Sequence, residues 1–435
     1  LIVILTVPAA GKTLEVGDGN AFDRIESANA AARDGDEIVV YALKDGKPYE
    51  KTAVIVRKKN LTFRAATGGR ESRVKISGKG FDYSGAGGTP RAIFQFERGA
   101  DDCRLVGFEL FGAHNESHNG AGVRINQANN VAIQLCSIHN NDMGVMSNGD
   151  GTEKTAANQR IWRCEIHHNG DPGEAGQNHN LYLGGTSATL SFCDIHSSLT
   201  GHNVKSRAHQ LRVEYCFVHD SANREFDLVD SPDTARPESH ALLIGNIIVK
   251  DPKCEGNRSA IHFGQDGGKD RDGMLYLYFN TIVTPFVSPV VELSAPQAKA
   301  EFVGNLVTSG GAKQNNQQIA AARNGALLES VTGRENWFAG EFAPLKDSGL
   351  NPKENRFAAT MNALFVNPAK GDYHLAKQAI AEAKTTLALT DLDVPPVLAD
   401  LHVDAPLPLA LQYRHPANGQ TRHDGKKLTF GAYGE

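Results

Sequence analysis

The chain lacks the features that would place it with membrane spans, helical repeats or nucleic-acid binders. Nowhere does an apolar run reach the length needed to cross a bilayer. Amphipathic stretches at period 3.6 are scarce: apolar residues come in pieces of four to six between Gly, Asn and Asp, which argues against helical repeats. With a net charge of −5 and no basic run, nucleic acid is a poor candidate for the main partner. The first residues, Leu-Ile-Val-Ile-Leu-Thr-Val-Pro-Ala-Ala, read as the end of a signal-peptide apolar core with a small-residue cleavage region, so a secreted, periplasmic or cell-surface protein is expected.

What the chain does have is a repeat. Seven times it writes an apolar residue, two free positions, a Cys or Asn, one free position and another apolar residue. The copies run from Ile133/Cys136/Ile138 through Ile161/Cys164/Ile166, Leu190/Cys193/Ile195, Val213/Cys216/Val218, Leu243/Asn246/Ile248 and Leu277/Asn280/Ile282 to Phe302/Asn305/Val307. Leu105/Phe108/Leu110 is an upstream eighth. A fixed short pattern on an elastic period means a coil whose rungs keep their strands and vary their loops. Stacked in register, such rungs bury one column of Ile, Leu and Val that no single rung could bury alone. The 44 glycines suit a turn-dense coil.

This pattern resembles the right-handed parallel β-helix of pectate-lyase-like, secreted carbohydrate-active proteins, over residues 11 to 308. The resemblance implies an all-β solenoid in which the Cys/Asn column lies at an inward bend, each Asn bonding the backbone of neighbouring rungs. Cys136, Cys164, Cys193 and Cys216 are then small buried substitutes for Asn. Stacked about 4.8 Å apart, their side chains run parallel, so free thiols are expected rather than disulfides. The same rungs continue to His139, His167, His196 and His219. Because those histidines face out while the cysteines face in, the two sets cannot share a metal.

Residues 1 to 10 are read as the signal remnant, 11 to 308 as the coil with an N-terminal cap, and 309 to 435 as a C-terminal cap wrapped on it. A helix is expected over 21 to 33, covering an otherwise open strand edge, and another over 317 to 329. First strands are expected at 37 to 41, 52 to 56 and 60 to 65.

Functional residues should collect where several rungs put polar groups on one outer face. Alternation turns Leu181/Leu183, Val204/Ser206 and Phe226/Leu228 inward, so Tyr182, Lys205 and Asp227 form an outward column, extended by Arg124 and Met146 above and His262 below. The adjacent column reads Asn180, Asn203, Glu225. Segments such as His179-Asn-Leu-Tyr-Leu-Gly, Gly201-His-Asn-Val-Lys-Ser-Arg-Ala and Gly264-Gln-Asp-Gly resemble recurrent stretches of secreted bacterial β-helix proteins.

The resemblance implies an acidic polysaccharide or oligosaccharide lying across this face, acted on by a monomer. A lyase needs a group to neutralise the uronate carboxylate, a base for the proton beside it and an acid for the leaving oxygen. Lys205 is the expected base, with Arg207 and Arg224 lowering its pKa; the Lys-Ser step followed by Arg224 a rung later resembles alginate and chondroitin lyases of this fold. Tyr182 or His179 is the expected acid. Asn180, His202, Asn203, Arg124, His262 and Gln265 are expected substrate contacts. Glu225, Asp227 and Asp230 could hold a bridging Ca²⁺. Three alternatives stay open: a glycoside hydrolase using Asp227, Asp230, Glu225 and Asp266, a uronate epimerase, and a non-catalytic carbohydrate-binding protein.

Overall fold

The computed structural model describes residues 11–67, 73–174, 176–266, 268, 271–311, 316–358, 363–388, 391–401, 410–422 and 428–434. The ten residues read as a signal remnant lie outside them. Each rung sends one short strand into each of three parallel sheets, as Gln159–Trp162, Glu165–His167 and Leu181–Leu183 do in turn. The first sheet has 12 strands, the second 11 and the third 10. The molecule is a right-handed, single-chain parallel β-helix, the hand that parallel crossovers adopt.

The repeat maps onto the first two sheets as expected. Ile138, Ile166, Ile195, Val218, Ile248, Ile282 and Val307 pair Cα to Cα in one line. All are fully buried. The line runs on past the seven copies to Leu110 on one side and to Phe338 and Phe357 on the other.

The Cys/Asn column sits at the bend for a backbone reason. The residue before it is left-handed in rung after rung, with φ of 56° at Leu135, 51° at Arg163, 54° at Phe192 and 51° at Tyr215. That conformation is costly for a side chain bearing Cβ, and the ladder behind it compensates. The Cys216 backbone N–H donates to Asn246 Oδ1 at 2.9 Å, and Asn246 Nδ2 donates to Val213 O at 2.9 Å and to Asn280 Oδ1 at 3.0 Å. The chain of carboxamides continues through Asn305 and Asn336 to Asn355. All six cysteines are buried and unpaired.

The coil is longer than the repeat suggests. Ala320–Ala322, Val331–Arg334, Trp337–Ala339 and Arg356–Ala358 extend the three sheets beyond 308, so the boundary expected there is displaced by about two rungs. The helix expected over 317 to 329 is absent: its alanines form a strand, and only Leu328–Ser330 makes a 3₁₀ turn. Ala-rich sequence fits either state, and pairing with Val291–Leu293 decides for the strand. The N-terminal helix is Ile25–Ala31, shorter than expected, with Ile25 and Ala28 buried in the main core.

Two further apolar clusters fasten the C-terminal segment to the coil. Leu364, Phe365, Tyr373 and Leu375 pack on the outer face of the second sheet against Phe217, Ile247 and Val249. Leu387, Leu398 and Leu401 pack on the first sheet against Phe192, Tyr215 and Leu242. No cluster of the described residues ties this segment to the third sheet. The third face is therefore the one that the described residues leave open.

The histidine ladder belongs to the fastened face. His139, His167, His196 and His219 stack at 4.8 to 4.9 Å. At its end His219 contacts Asp194 at 3.2 Å and Asp220 at 2.8 Å, and Asp194 also meets His415 of the C-terminal segment at 3.4 Å. Burial opposes the His219 charge, but the two carboxylates outweigh it and raise its pKa to about 9. The ordinary value is about 6.5, so this imidazolium contributes fully below pH ~6.5 and its contribution fades as pH rises through about 9.

Two outcomes test this architecture. Ile195→Asp should destabilise by about 4 kcal/mol or more, because the charge has no partner in the column; a near-native denaturation midpoint would contradict the alignment. Denaturant unfolding should show the wild type losing roughly 3 kcal/mol between pH 6 and 10 relative to His219→Gln. Parallel pH profiles for the two would remove the ion pair from the fastening.

Candidate active site

The third sheet stacks its outward residues in a single register. Gln95, Arg124, Met146, Tyr182, Lys205, Asp227, His262 and Glu292 are successive Cα partners. The column inferred from alternation is therefore present in space, and it continues one rung further to Glu292. Around its lower half lies an open cleft of about 550 Å³, lined by Lys205, Asp227, His262, Arg224, Asp266 and Glu292 among others.

Asp227 organises the cleft. It is 3% exposed. Oδ1 meets His262 Nδ1 at 2.8 Å and Arg224 Nη1 at 3.4 Å, while Oδ2 meets His202 Nε2 at 3.3 Å and Lys205 Nζ at 3.4 Å. Burial alone would raise its pKa, but the contacts with His202, His262 and Lys205 outweigh that and hold the carboxyl well below its usual range. His262 is held in turn at Nε2 by Ser294 Oγ, 2.6 Å away.

Two buried histidines back this arrangement as a small ladder of their own. His179 Nδ1 accepts the backbone N–H of His202 at 3.0 Å, and His202 Nδ1 accepts that of Arg224 at 3.1 Å. Their rings stack at 5.1 Å. An imidazole that accepts at Nδ1 carries its proton on Nε2, so His202 donates to Asp227. Burial, followed by neighbouring positive charge, lowers the His202 pKa to about 4 despite Asp227, which keeps the ring neutral near pH 7. Burial drives His179 down in the same way.

Lys205, 9% exposed, is bracketed by two carboxylates. Asp266 Oδ2 lies 2.9 Å from Nζ, opposite the Asp227 contact. Asp266 also pairs with Arg207. Burial would raise its pKa, yet Lys205 and Arg207 bring it below the ordinary value. Above this triad Tyr182 presents its ring, 5.8 Å from Lys205 Nζ and 5.3 Å from the Arg207 guanidinium. Burial raises the phenol pKa against the pull of those two cations.

Several expected assignments fail on geometry. Asn180, Asn203 and Glu225 point inward and are fully buried, so neither the carboxamides nor this carboxylate can meet a substrate. Alternation breaks at the bend, where these side chains close the rung from inside. Asn203 Nδ2 donates to His219 O at 2.8 Å and to Glu225 Oε2 at 2.5 Å, and Glu225 Oε1 accepts the Ser221 N–H at 3.1 Å. Burial raises the Glu225 pKa to about 7 against nearby Lys250, which is itself fully enclosed. The set Glu225, Asp227, Asp230 does not fit Ca²⁺: the first faces the core, both oxygens of the second are committed to basic side chains, and the third accepts the Asp266 backbone N–H. His179, at 2% exposure, lies beneath the surface and supports His202 instead of reaching a leaving group. Arg207 and Arg224 approach Lys205 only through shared carboxylates.

Arg224, His262, His202 and Gln265 do line the cleft. Arg124 belongs to a second cavity on the same face. Glu292 is the residue that sequence reasoning missed; Val291 and Leu293 point inward, and extending the column past His262 finds it. Among the described residues one group of ligand atoms lies close enough together for a metal, Asp194 with His196 and His219, and it sits on the fastened second sheet, away from the cleft.

No family model and no curated protein matches the chain. Among solved structures, pectate lyase Pel9A matches over 98% of this chain and 97% of its own, at 13% identity and a TM-score of 0.53. DFA-IIIase from Arthrobacter chlorophenolicus A6 matches over 80% and 99% at 11% identity and TM-score 0.42. Pectin methylesterase PemA from Erwinia chrysanthemi matches over 78% and 93% at 10% identity and TM-score 0.38. The extent of the first match agrees with the stacked register, and the fold of the chain is a right-handed parallel β-helix.

Proposed function

We propose that this protein is a carbohydrate-active enzyme that cleaves a uronate-containing glycan by β-elimination at the Lys205 cleft. The observation that supports this most is the place of the Asp266 carboxylate, held between Lys205 Nζ and the Arg207 guanidinium. A partly exposed loop carboxylate there marks where the carboxylate of an acidic sugar would be received. The proton to be removed in such a reaction is on the carbon that bears that carboxylate, which puts it beside Lys205.

In the proposed step Lys205, reacting as the free amine after giving up its proton to solvent, takes the proton from the sugar carbon, the C–H electrons form the double bond, and the C–O bond to the departing sugar breaks. Arg207 and Arg224 offset the charge that builds on the carboxylate. Tyr182 gives its phenolic proton to the leaving oxygen; a raised pKa keeps that proton available near neutrality. Asp227 holds Lys205, His202 and His262 in place without reacting.

A hydrolase at the same carboxylates is less well supported. Inverting and retaining mechanisms both need a carboxylic acid kept protonated near neutral pH. Asp227 and Asp266 are both shifted the other way, and Glu225, which is raised, is sealed inside. The fold is one that a pectate lyase uses, which agrees with the proposal at the level of scaffold alone.

The test is incubation with a panel of uronate polymers, following the ultraviolet band of unsaturated uronates and reducing ends together. Both should rise. Reducing ends without the band would replace elimination by hydrolysis; altered sugar composition without cleavage would indicate epimerisation, and binding without turnover a lectin-like protein. Lys205→Ala should lower turnover by about 10² to 10⁴-fold with its circular dichroism retained. An active Lys205→Ala enzyme would sink the proposed base. Since no step is assigned to Ca²⁺, dialysis against a chelator should leave turnover unchanged, and a loss restored by Ca²⁺ would return the metal to the mechanism.

A further inference from the structure

We infer that a second cavity on the third sheet is an anion subsite of the same cleft, so that the protein holds an acidic glycan long enough to bridge both. This rests on the reading of the Lys205 cleft as a glycan site. The cavity measures about 630 Å³ and is walled by Arg57, Arg91, Arg98 and Arg124, with Glu97 and the glycine-rich turn at 85–88 beside them. Arg124 stands in the same outward column as Lys205, three rungs away through Met146 and Tyr182. At about 4.8 Å per rung the separation is roughly 14 Å, a span that a single sugar cannot cover.

The charge in this cavity is not balanced internally. Arg124 Nε donates to Asn126 Oδ1 at 3.0 Å and Nη1 to Met146 Sδ at 3.3 Å, and no carboxylate pairs with it among the described residues. Arg91 Nε donates to Ser84 O at 3.3 Å and has no carboxylate either among those residues. Glu97 is engaged by Gln95 at 2.5 Å and Asn126 at 3.3 Å, whereas Arg98 is offset by Asp150 at 2.7 Å. Burial and the neighbouring Arg91 both weigh against the Arg124 charge, with Glu97 only partly offsetting them. Two guanidiniums that converge on open space without a counter-ion suit a planar, multi-oxygen anion, a carboxylate or sulfate. Gly85 makes the wall possible: at φ 74° it lies against Arg91, where an added Cβ would collide with Nε.

Of the anions with this chemistry, the position in the column favours a further acidic unit of the same chain over a free ion. Oligouronates of graded length are the probe, with affinity read by calorimetry on the Lys205→Ala protein, so that binding is measured whether or not the wild type is a lyase. Arg124→Gln and Arg91→Gln should each lower affinity for the longer oligomers by about tenfold, and far less for the shortest. Equal losses at every length, or none, would overturn the subsite. Inorganic sulfate binding as tightly as the long oligomers, and lost in the same variants, would assign the cavity to a free anion and overturn the glycan assignment. Length-dependent binding by the Lys205→Ala protein, together with a wild type that yields no unsaturated product from the same oligomers, would retain the subsite while rejecting elimination.

Discussion

Everything in this protein depends on rungs stacking in strict register about 4.8 Å apart. Register turns sequence position into a column, and a column of identical contacts repeats whatever its first member does well. The inward line from Leu110 to Phe357 is one result, and the carboxamide ladder from Asn246 to Asn355 is another. Along that ladder the left-handed bend is held by Gly245 and Gly304 in two rungs and by Phe279 and Glu335, at φ near 50°, in two others, where the carboxamide bonds help to offset the strain. Polar groups buried there are all bonded to the next rung, so the coil gains direction without unsatisfied amides.

A three-sided solenoid must also decide which faces it covers. Here the C-terminal segment lies over the first two, where outward residues are Phe, Leu, Ile and Tyr, and His219 adds an ion pair at the seam. The third face carries Arg, Lys, Asp, His and Glu in its outward line and stays open. Covering those groups would cost their desolvation with no partner in return. The division between fastened and open faces follows from which outward columns are apolar.

How much of this was legible in the sequence depends on whether a residue lies in a strand or at a bend. Tyr182, Lys205 and Asp227 are legible as one column because steps of 23 and 22 residues keep their strands aligned, and the pairing has them so. Alternation misplaces Asn180, Asn203 and Glu225 because period 2 holds only for extended backbone; two residues upstream of each column member the chain is still turning, and the side chain closes its own rung. Asp266 could be named as a carboxylate but not located, since it reaches Lys205 from a loop 59 residues beyond Arg207. The last rungs of the coil are not legible, because Ala320–Ala322 has neither the aliphatic bulk nor the Cys/Asn signature of the repeat, and only its pairing partner reveals it as a strand.

The misplaced inner residues nonetheless tie the fold to the cleft. Asn180 bonds Asn203 at 2.8 Å, Asn203 bonds Glu225, and each sits at the bend that leads into the strand of Tyr182, Lys205 or Asp227, two positions before it. The inner ladder therefore sets the height of the outer column. Glu225 is the weak step in it, a carboxylate in a line of carboxamides, with a pKa raised by burial to about 7 although Lys250, 3.9 Å away, and the bonds from Ser221 and Asn203 offset part of its charge. Whatever holds Glu225 in place also holds Asp227 two residues later, and Asp227 carries four of the contacts that shape the site. The electrostatics of the cleft are thus anchored in the same register that folds the coil.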